Sequence, residues 1–309
     1  MTMRREMVSM QPNLALEGEL PHVIDEWQDV PRIWDAVRRR VDETGNQCGQ
    51  YLLTGSSTVD KSKIGHSGAG RIAKVHMRPM SLYESGTSDG RISLKDLFEG
   101  KFETSQVQTD LRDIARFICA GGWPVALGRN DDIAGDLPAQ YLDATFSVSA
   151  PRCGLDPYET RKVAGSLARN LGKTLTYRVL YADVYAEEPP RDADNSALRQ
   201  RLLPFNNFFK DQYFIEEQSG WDAPVKSRSR VRSKPKHTFA DPSLPASLLA
   251  MTPERLLFER QLFGNLFEEL CLRDIRVYTS AMGFTPDPEV RYYSDADGLE
   301  IDIVIELPD

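Results

Sequence analysis

The feature that most constrains this chain lies near its start. Pro21-His22-Val23-Ile24-Asp25-Glu26-Trp27-Gln28 is a short apolar run that ends in two acids. Pro31 can open a helix. Ile33, Trp34, Val37 and Val41 follow at helical spacing, and Gly45 stops it. Tyr51-Leu52-Leu53-Thr54-Gly55-Ser56 then reads as a buried strand running into a loop. Strand, helix and strand on short connections imply a parallel pair, and hence part of an α/β sheet. Ile72–Met77 alternates as a further strand, closed by Pro79-Met80-Ser81-Leu82.

After about residue 105 the pattern turns helical. Asp110 can cap a helix carrying Leu111, Ile114, Ala115 and Ile118, ended by Gly121-Gly122. Further helices are expected over 137–149, over 157–171 and around Leu198–Phe209, with a Pro- and Asp-rich loop at 186–195. A long helix is expected from Pro253 to about Tyr278. Strands at Val290–Tyr293 and Leu299–Leu307 are joined by the tight-turn sequence Asp295-Ala296-Asp297-Gly298. The expected organisation is α/β for 1–105, connecting helices for 106–150, and an α+β region for 151–309.

Composition excludes several classes. The 309 residues carry a net charge of -8, so any nucleic-acid contact needs a local basic patch. No run approaches the ~18 apolar residues of a membrane-spanning helix, and no apolar core follows the basic start as in a secretory signal. Cys48, Cys119, Cys153 and Cys271 form no CxxC pair, which reads as incidental thiols in a reducing, cytoplasmic setting.

Asp25 and Glu26 are the residues that nucleotide chemistry would need. An acid at a strand's C-terminal end can hold Mg²⁺ beside phosphates, and the next acid can orient or deprotonate the attacking water. A plain strand ending in Asp-Glu is also common. The order of motifs adds to this. Leu16-Glu17-Gly18, Ile24-Asp25-Glu26-Trp27-Gln28, Pro31-Arg32-Ile33-Trp34, Leu53-Thr54-Gly55-Ser56, Gly70-Arg71 and Arg78-Pro79-Met80-Ser81-Leu82-Tyr83-Glu84 stand in sequence. Downstream come Gly121-Gly122-Trp123-Pro124, Asp241-Pro242-Ser243-Leu244, Gly264-Asn265-Leu266-Phe267-Glu268 and Glu300-Ile301-Asp302. Together they resemble a prokaryotic family of AAA-type ATPases whose core is followed by a C-terminal domain of unknown function, winged-helix-like and nuclease-like.

The resemblance implies an AAA core that has its Walker B strand, a winged-helix-like region at 155–240, and part of a PD-(D/E)xK-like α/β domain at 250–309. It implies ATP and Mg²⁺ as ligands, with Asp25 and Glu26 as the catalytic carboxylates, Asp25 on the metal and Glu26 orienting or deprotonating the water. Thr54 and Ser56 stand where such proteins place a γ-phosphate sensor. Arg71 is either a charge donor to a neighbouring subunit's nucleotide or a solvated arginine. Glu268 and Asp302 match the helix and strand carboxylates of the nuclease-like layout, or are an ordinary helix acid and a hairpin residue.

The family's GxxxxGK[ST] loop is not in the sequence. Gly172-Lys173-Thr174 has Leu167 where the first glycine belongs, and reads as a helix end and turn. A Glu-x-Lys strand after Asp302 is missing as well. The expectation is a chain incomplete at both ends, with ATP binding and hydrolysis impaired. The class-level alternative is a non-enzymatic DNA-binding or interaction protein. Residues 226–236 place a basic side chain at every second position, Lys226, Arg228, Arg230 and Arg232 among them. On a strand these share one face, suited to phosphates or simply to solvent. Partners implied are DNA, another copy or another protein, and no membrane.

Overall fold

The structure, a computed structural model, describes residues 2–55, 68–102, 104–129, 131–187, 195–221, 234–284, 287–295 and 297–307. It divides into two compact units, Met1–Met77 with Asp211–Tyr213, and Arg78–Lys210 with Phe214–Asp309. The division by packing thus falls at Met77/Arg78, ahead of the composition change near 105.

In the first unit, helix α1 (Thr2–Met10) and a 3-10 turn (Pro12–Leu16) lead to strand β1 (His22–Ile24). Helix α2 (Arg32–Glu43) and strand β2 (Tyr51–Leu53) follow. The strands pair in parallel, His22 with Tyr51 and Ile24 with Leu53. The helix forms because Ile33, Trp34, Ala36, Val37 and Val41 share one buried stripe. It ends where Gly45 takes a positive φ of 79°. That stripe packs on Leu16, Ile24 and Val30, with Trp27 stacked on Trp34.

Two expectations need correction here. The second strand is not buried: Val23 and Leu52 are each 57% exposed, so only one sheet face is covered. Residues 72–77 form no strand, and Val75 and Met77 lie open to solvent. An alternating segment needs a partner ladder, and these residues pair with no edge.

The second unit is mostly helical. It contains α3 (Leu94–Phe98), α4 (Leu111–Ala120), α5 (Asp131–Ala144), α6 (Ala150–Arg152), α7 (Pro157–Arg169), α8 (Tyr177–Tyr185) and α9 (Asn195–Asp211). After these come α10 (Ser243–Leu248), α11 (Pro253–Leu256) and α12 (Arg260–Ser280). Asp110 caps α4 in a reciprocal box with Asp113, as its sequence suggests. A π-helical turn, Thr145–Ser149, joins α5 to α6. The long helix expected from Pro253 is interrupted between α11 and α12.

One core holds these helices together, built on Ile118, Phe146, Leu167, Leu202, Phe209, Phe214 and Leu266. Two antiparallel pairs lie beside it: β3 (Ile215–Gln218) with β4 (Lys236–Phe239), and β5 (Val290–Ser294) with β6 (Glu300–Ile305). Asp295 shapes the β5–β6 turn by accepting from the amides of Asp297 and Leu299. The architecture is mixed helix with small sheets. The strands β1 and β2 form a parallel pair, and an isolated parallel bridge joins Gly220 to Tyr292.

Candidate functional site

The C-terminal ends of β1 and β2 meet at Asp25 and Thr54. Thr54 N–H donates to the Ile24 carbonyl (3.0 Å) and Trp27 N–H to the Thr54 carbonyl (3.2 Å), which locks the two strand ends together. The Thr54 hydroxyl donates to Asp25 Oδ1. Glu26 N–H donates to the same oxygen at 3.1 Å. Glu26 has φ 52° and ψ 40°, left-handed backbone in which a side chain carries strain. Gln28 Nε2 donates to Glu26 Oε2, while Gln28 Oε1 is buried without a partner beside Gly55. A Cβ at Gly55 would strike that amide.

A carboxylate and a hydroxyl at the carboxyl ends of adjacent parallel strands occupy the edge where open α/β sheets bind ligands. They suit the acid half of a Mg²⁺–nucleotide site. The other half does not fit. The sequence supplies no GxxxxGK[ST] loop, and among the described residues no three His, Cys, Asp or Glu are placed to hold a metal ion. Ser56 lies outside the described residues. Arg71 is engaged within its own unit, where its Nε donates to Asp42 Oδ1 on α2 at 2.6 Å.

A second constellation lies on the hairpins. Glu268 of α12 and Asp302 of β6, which the sequence pairs, do converge. Lys236 stands between them, 2.7 Å from Glu300 Oε1, 3.6 Å from Glu268 Oε1 and 4.0 Å from Asp302 Oδ1. It is 4% exposed, with its ammonium over the Tyr292 ring. Burial pulls its pKa down. The Glu300 hydrogen bond and the charges of Glu268, Glu300 and Asp302 outweigh that and hold it above the ordinary lysine value. Burial raises the Glu268 carboxyl, with Lys236 opposing and the other two acids adding to it.

Lys236 is the residue that the reading of the basic stretch misplaces. Alternation puts it on the same face as Lys226, Arg228, Arg230 and Arg232. The register that sets Lys236 against Gln218 aims its side chain inward instead. Those other four residues lie outside the described part. Gly172 has φ 69° in the turn that follows the Asn170 cap of α7, so Gly172-Lys173-Thr174 begins in a turn after a helix rather than after a strand.

The remaining motifs meet in one buried network. Asp241, fully buried, accepts from the amides of Gly122 and Ser243 (both 2.9 Å), from the Ser243 hydroxyl (2.6 Å) and from Arg273 Nη1 (3.0 Å). Arg273 also donates twice to Asp274 Oδ1, while Asp274 Oδ2 accepts from Leu82 N–H at 3.0 Å. Met80 N–H donates to the Gly122 carbonyl, and Trp123 Nε1 to Ser243 Oγ. Arg78 pairs with Glu216 at 2.9 Å, and Arg276 reaches the same carboxylate at 3.6 Å. Arg78–Glu84, Gly121–Pro124 and Asp241–Leu244 are therefore packing motifs of the second unit.

Compared with known proteins, residues 3–86 match the model of a family described as an AAA domain. No curated protein and no solved structure matches the chain. The match supports an AAA-type N-terminal region, a class that binds ATP with Mg²⁺. No helix among the described residues is long and apolar enough to cross a membrane.

Proposed function

We propose that residues 22–56 carry the acid edge of an AAA-type ATP site. Asp25 serves as the metal-side carboxylate, Glu26 orients the attacking water, and Thr54 and Ser56 are polar sensors. Arg71 is kept as an auxiliary cation because its partner Asp42 is a surface residue that a phosphate can replace. The observation that carries the reading is the Thr54–Asp25 contact at the carboxyl ends of two parallel strands. Bound Mg²⁺ would neutralise phosphate charge as it builds up. The chain's own part is to hold one carboxylate in place by a hydroxyl and a backbone amide.

Without the loop amides and lysine that cradle β- and γ-phosphates, these 309 residues bind ATP weakly and hydrolyse it negligibly. Electron paramagnetic resonance of Mn²⁺·ATP tests this. The expected result is millimolar affinity, weakened about fivefold by Asp25→Asn. Micromolar affinity refutes the missing cradle, and an Asp25→Asn variant with unchanged affinity refutes the assignment of the acid.

A second reading, DNA contact, is favoured by the element order. Helices α7, α8 and α9 are followed by the β3–β4 pair, the succession of a helix–turn–helix with its wing. Ser196, Arg199, Gln200 and Asn207 share one exposed face of α9, and these types hydrogen-bond base edges and phosphates. Lys226, Arg228, Arg230 and Arg232 would add phosphate contacts from the connection between the strands. Fluorescence anisotropy with a 20-base-pair duplex checks it. Changing Arg228, Arg230 and Arg232 to Ser should weaken binding and flatten its salt dependence; unaltered binding sinks the reading. Glu268 and Asp302 receive no catalytic role here; with Glu300 they are held around the single cation of Lys236 as an acid cluster that keeps excess negative charge.

A further inference from the structure

A cavity in the second unit shares Ser196 and Arg199 of α9 with the DNA reading and is otherwise used by neither reading. It has a volume of about 570 Å³, within the range of small-molecule sites. Its floor is aliphatic: Val163 and Leu167 of α7, Leu175 of the following turn and Leu180 of α8. Arg199 of α9 and Lys234, two residues before β4, line it and are both exposed. Among the described residues neither has an acidic partner. Glu217 also lines it, but Lys210 neutralises that carboxylate by a direct ion pair. The wall is completed by His237, whose Nδ1 is buried with no hydrogen-bond partner.

We propose that this cavity binds a small anionic amphiphile, an alkyl or aryl carboxylate, with its apolar body on the aliphatic floor and its carboxylate between Arg199 and Lys234. The argument is complementarity. An apolar floor of this size favours a hydrocarbon body. Two cations lining the cavity with no acidic partner among the described residues select an anion over a neutral or cationic ligand. His237 adds a polar handle rather than a charge, since burial pulls its pKa down, with Glu217 and Lys210 acting in opposite directions. The proposal stands without the ATP reading, and it competes with the DNA reading for Arg199.

Decanoate is the probe, titrated into the full chain by calorimetry, with 1-decanol and phosphatidylglycerol vesicles as parallel arms. Decanoate should bind in the micromolar range and decanol at least tenfold more weakly. The double variant Arg199→Gln/Lys234→Gln should lose about tenfold in decanoate affinity and leave decanol binding unchanged. Both residues are surface groups, so its melting temperature should equal the wild type's. Leu167→Trp, which fills the floor, should abolish binding of both. Equal affinity for decanoate and decanol, or an unchanged charge variant, overturns the proposal. Vesicle binding without any response to free decanoate overturns it too, since the ligand would then be a lipid surface.

Discussion

Replacing Arg273 with methionine removes the centre of the network that ties together Leu82, Gly122 and Asp241. The stem keeps much of its volume, so little cavity forms, and the cost is electrostatic. Three hydrogen bonds vanish, of 3.0 Å to Asp241 and 2.9 and 2.7 Å to Asp274. Two carboxylates remain without their cation. Asp241 keeps the amides of Gly122 and Ser243, and Asp274 keeps Leu82 N–H and the Tyr278 hydroxyl. That residual solvation places the loss at about 3–4 kcal/mol, the lower part of the range for breaking a buried pair. In a unit of this size, each kcal/mol lowers the melting temperature by about 2–4 °C. The expected fall is therefore about 10 °C in calorimetry or circular dichroism. Arg273→Lys, which keeps the charge but not the planar fork, should lose about half as much. Adding Asp241→Asn to the methionine variant should recover about 1 kcal/mol by removing one orphaned charge. A methionine variant within 1 kcal/mol of wild type would refute the assignment of Arg273 as the counter-charge.

Two further perturbations read other parts of the structure. Burial pushes the Glu269 carboxyl up to about 8, against the pull of Phe239 N–H and Arg276. The folded state then keeps a proton that the unfolded chain releases near 4.5, so this residue's contribution is most favourable below that pH and declines as pH rises towards 8. At about 1.4 kcal/mol per pH unit, discounted for relaxation around the buried site, the decline is about 2–3 kcal/mol. Glu269→Gln should flatten it, seen as urea midpoints that agree with wild type at pH 4.5 and exceed it at pH 8; a retained wild-type slope would count against a buried acid there. Gly122→Ala sets a Cβ against the Met80 carbonyl oxygen, which is backbone and cannot swing aside. It should cost about 3 kcal/mol, at the high end for overpacking, with unfolding monitored by tryptophan fluorescence; a neutral alanine would mean that residues 80–82 shift freely.

Much of the fold was readable where one residue type meets one physical demand. The stripe from Ile33 to Val41 dictates α2, and Asp110 marks the start of α4. The Asp25–Thr54 contact follows from two strands in parallel register, each ending in a polar residue. What could not be read depends on partners distant in the chain. Ile72–Met77 has strand alternation, yet no edge accepts it. α8 went unmarked because Tyr177-Arg178-Val179-Leu180-Tyr181 mixes aromatic and β-branched residues that also suit a strand. Its capping Thr176 sets the helix start. Lys236 looked like the last of six solvent-facing cations, and only its register with Gln218 turns it into the acid cluster. Arg78–Glu84 falls within the 3–86 match to the AAA domain, as its place in the motif order implies, yet it packs with the other unit. Sequence order alone does not reveal which acid a backbone amide will meet.

The bond from Leu82 N–H to Asp274 closes a loop of 192 residues. During synthesis its donor leaves the ribosome long before its acceptor exists. At about 5–20 residues per second the wait is about 10–40 s. Over that interval the Leu82 and Gly122 amides lack the carboxylates that later accept from them, and α4 lacks its contacts with α10, α11 and α12. The second unit therefore cannot finish folding from its N-terminal end as it emerges. Its first hundred residues are a natural client for a holding chaperone until α12 arrives.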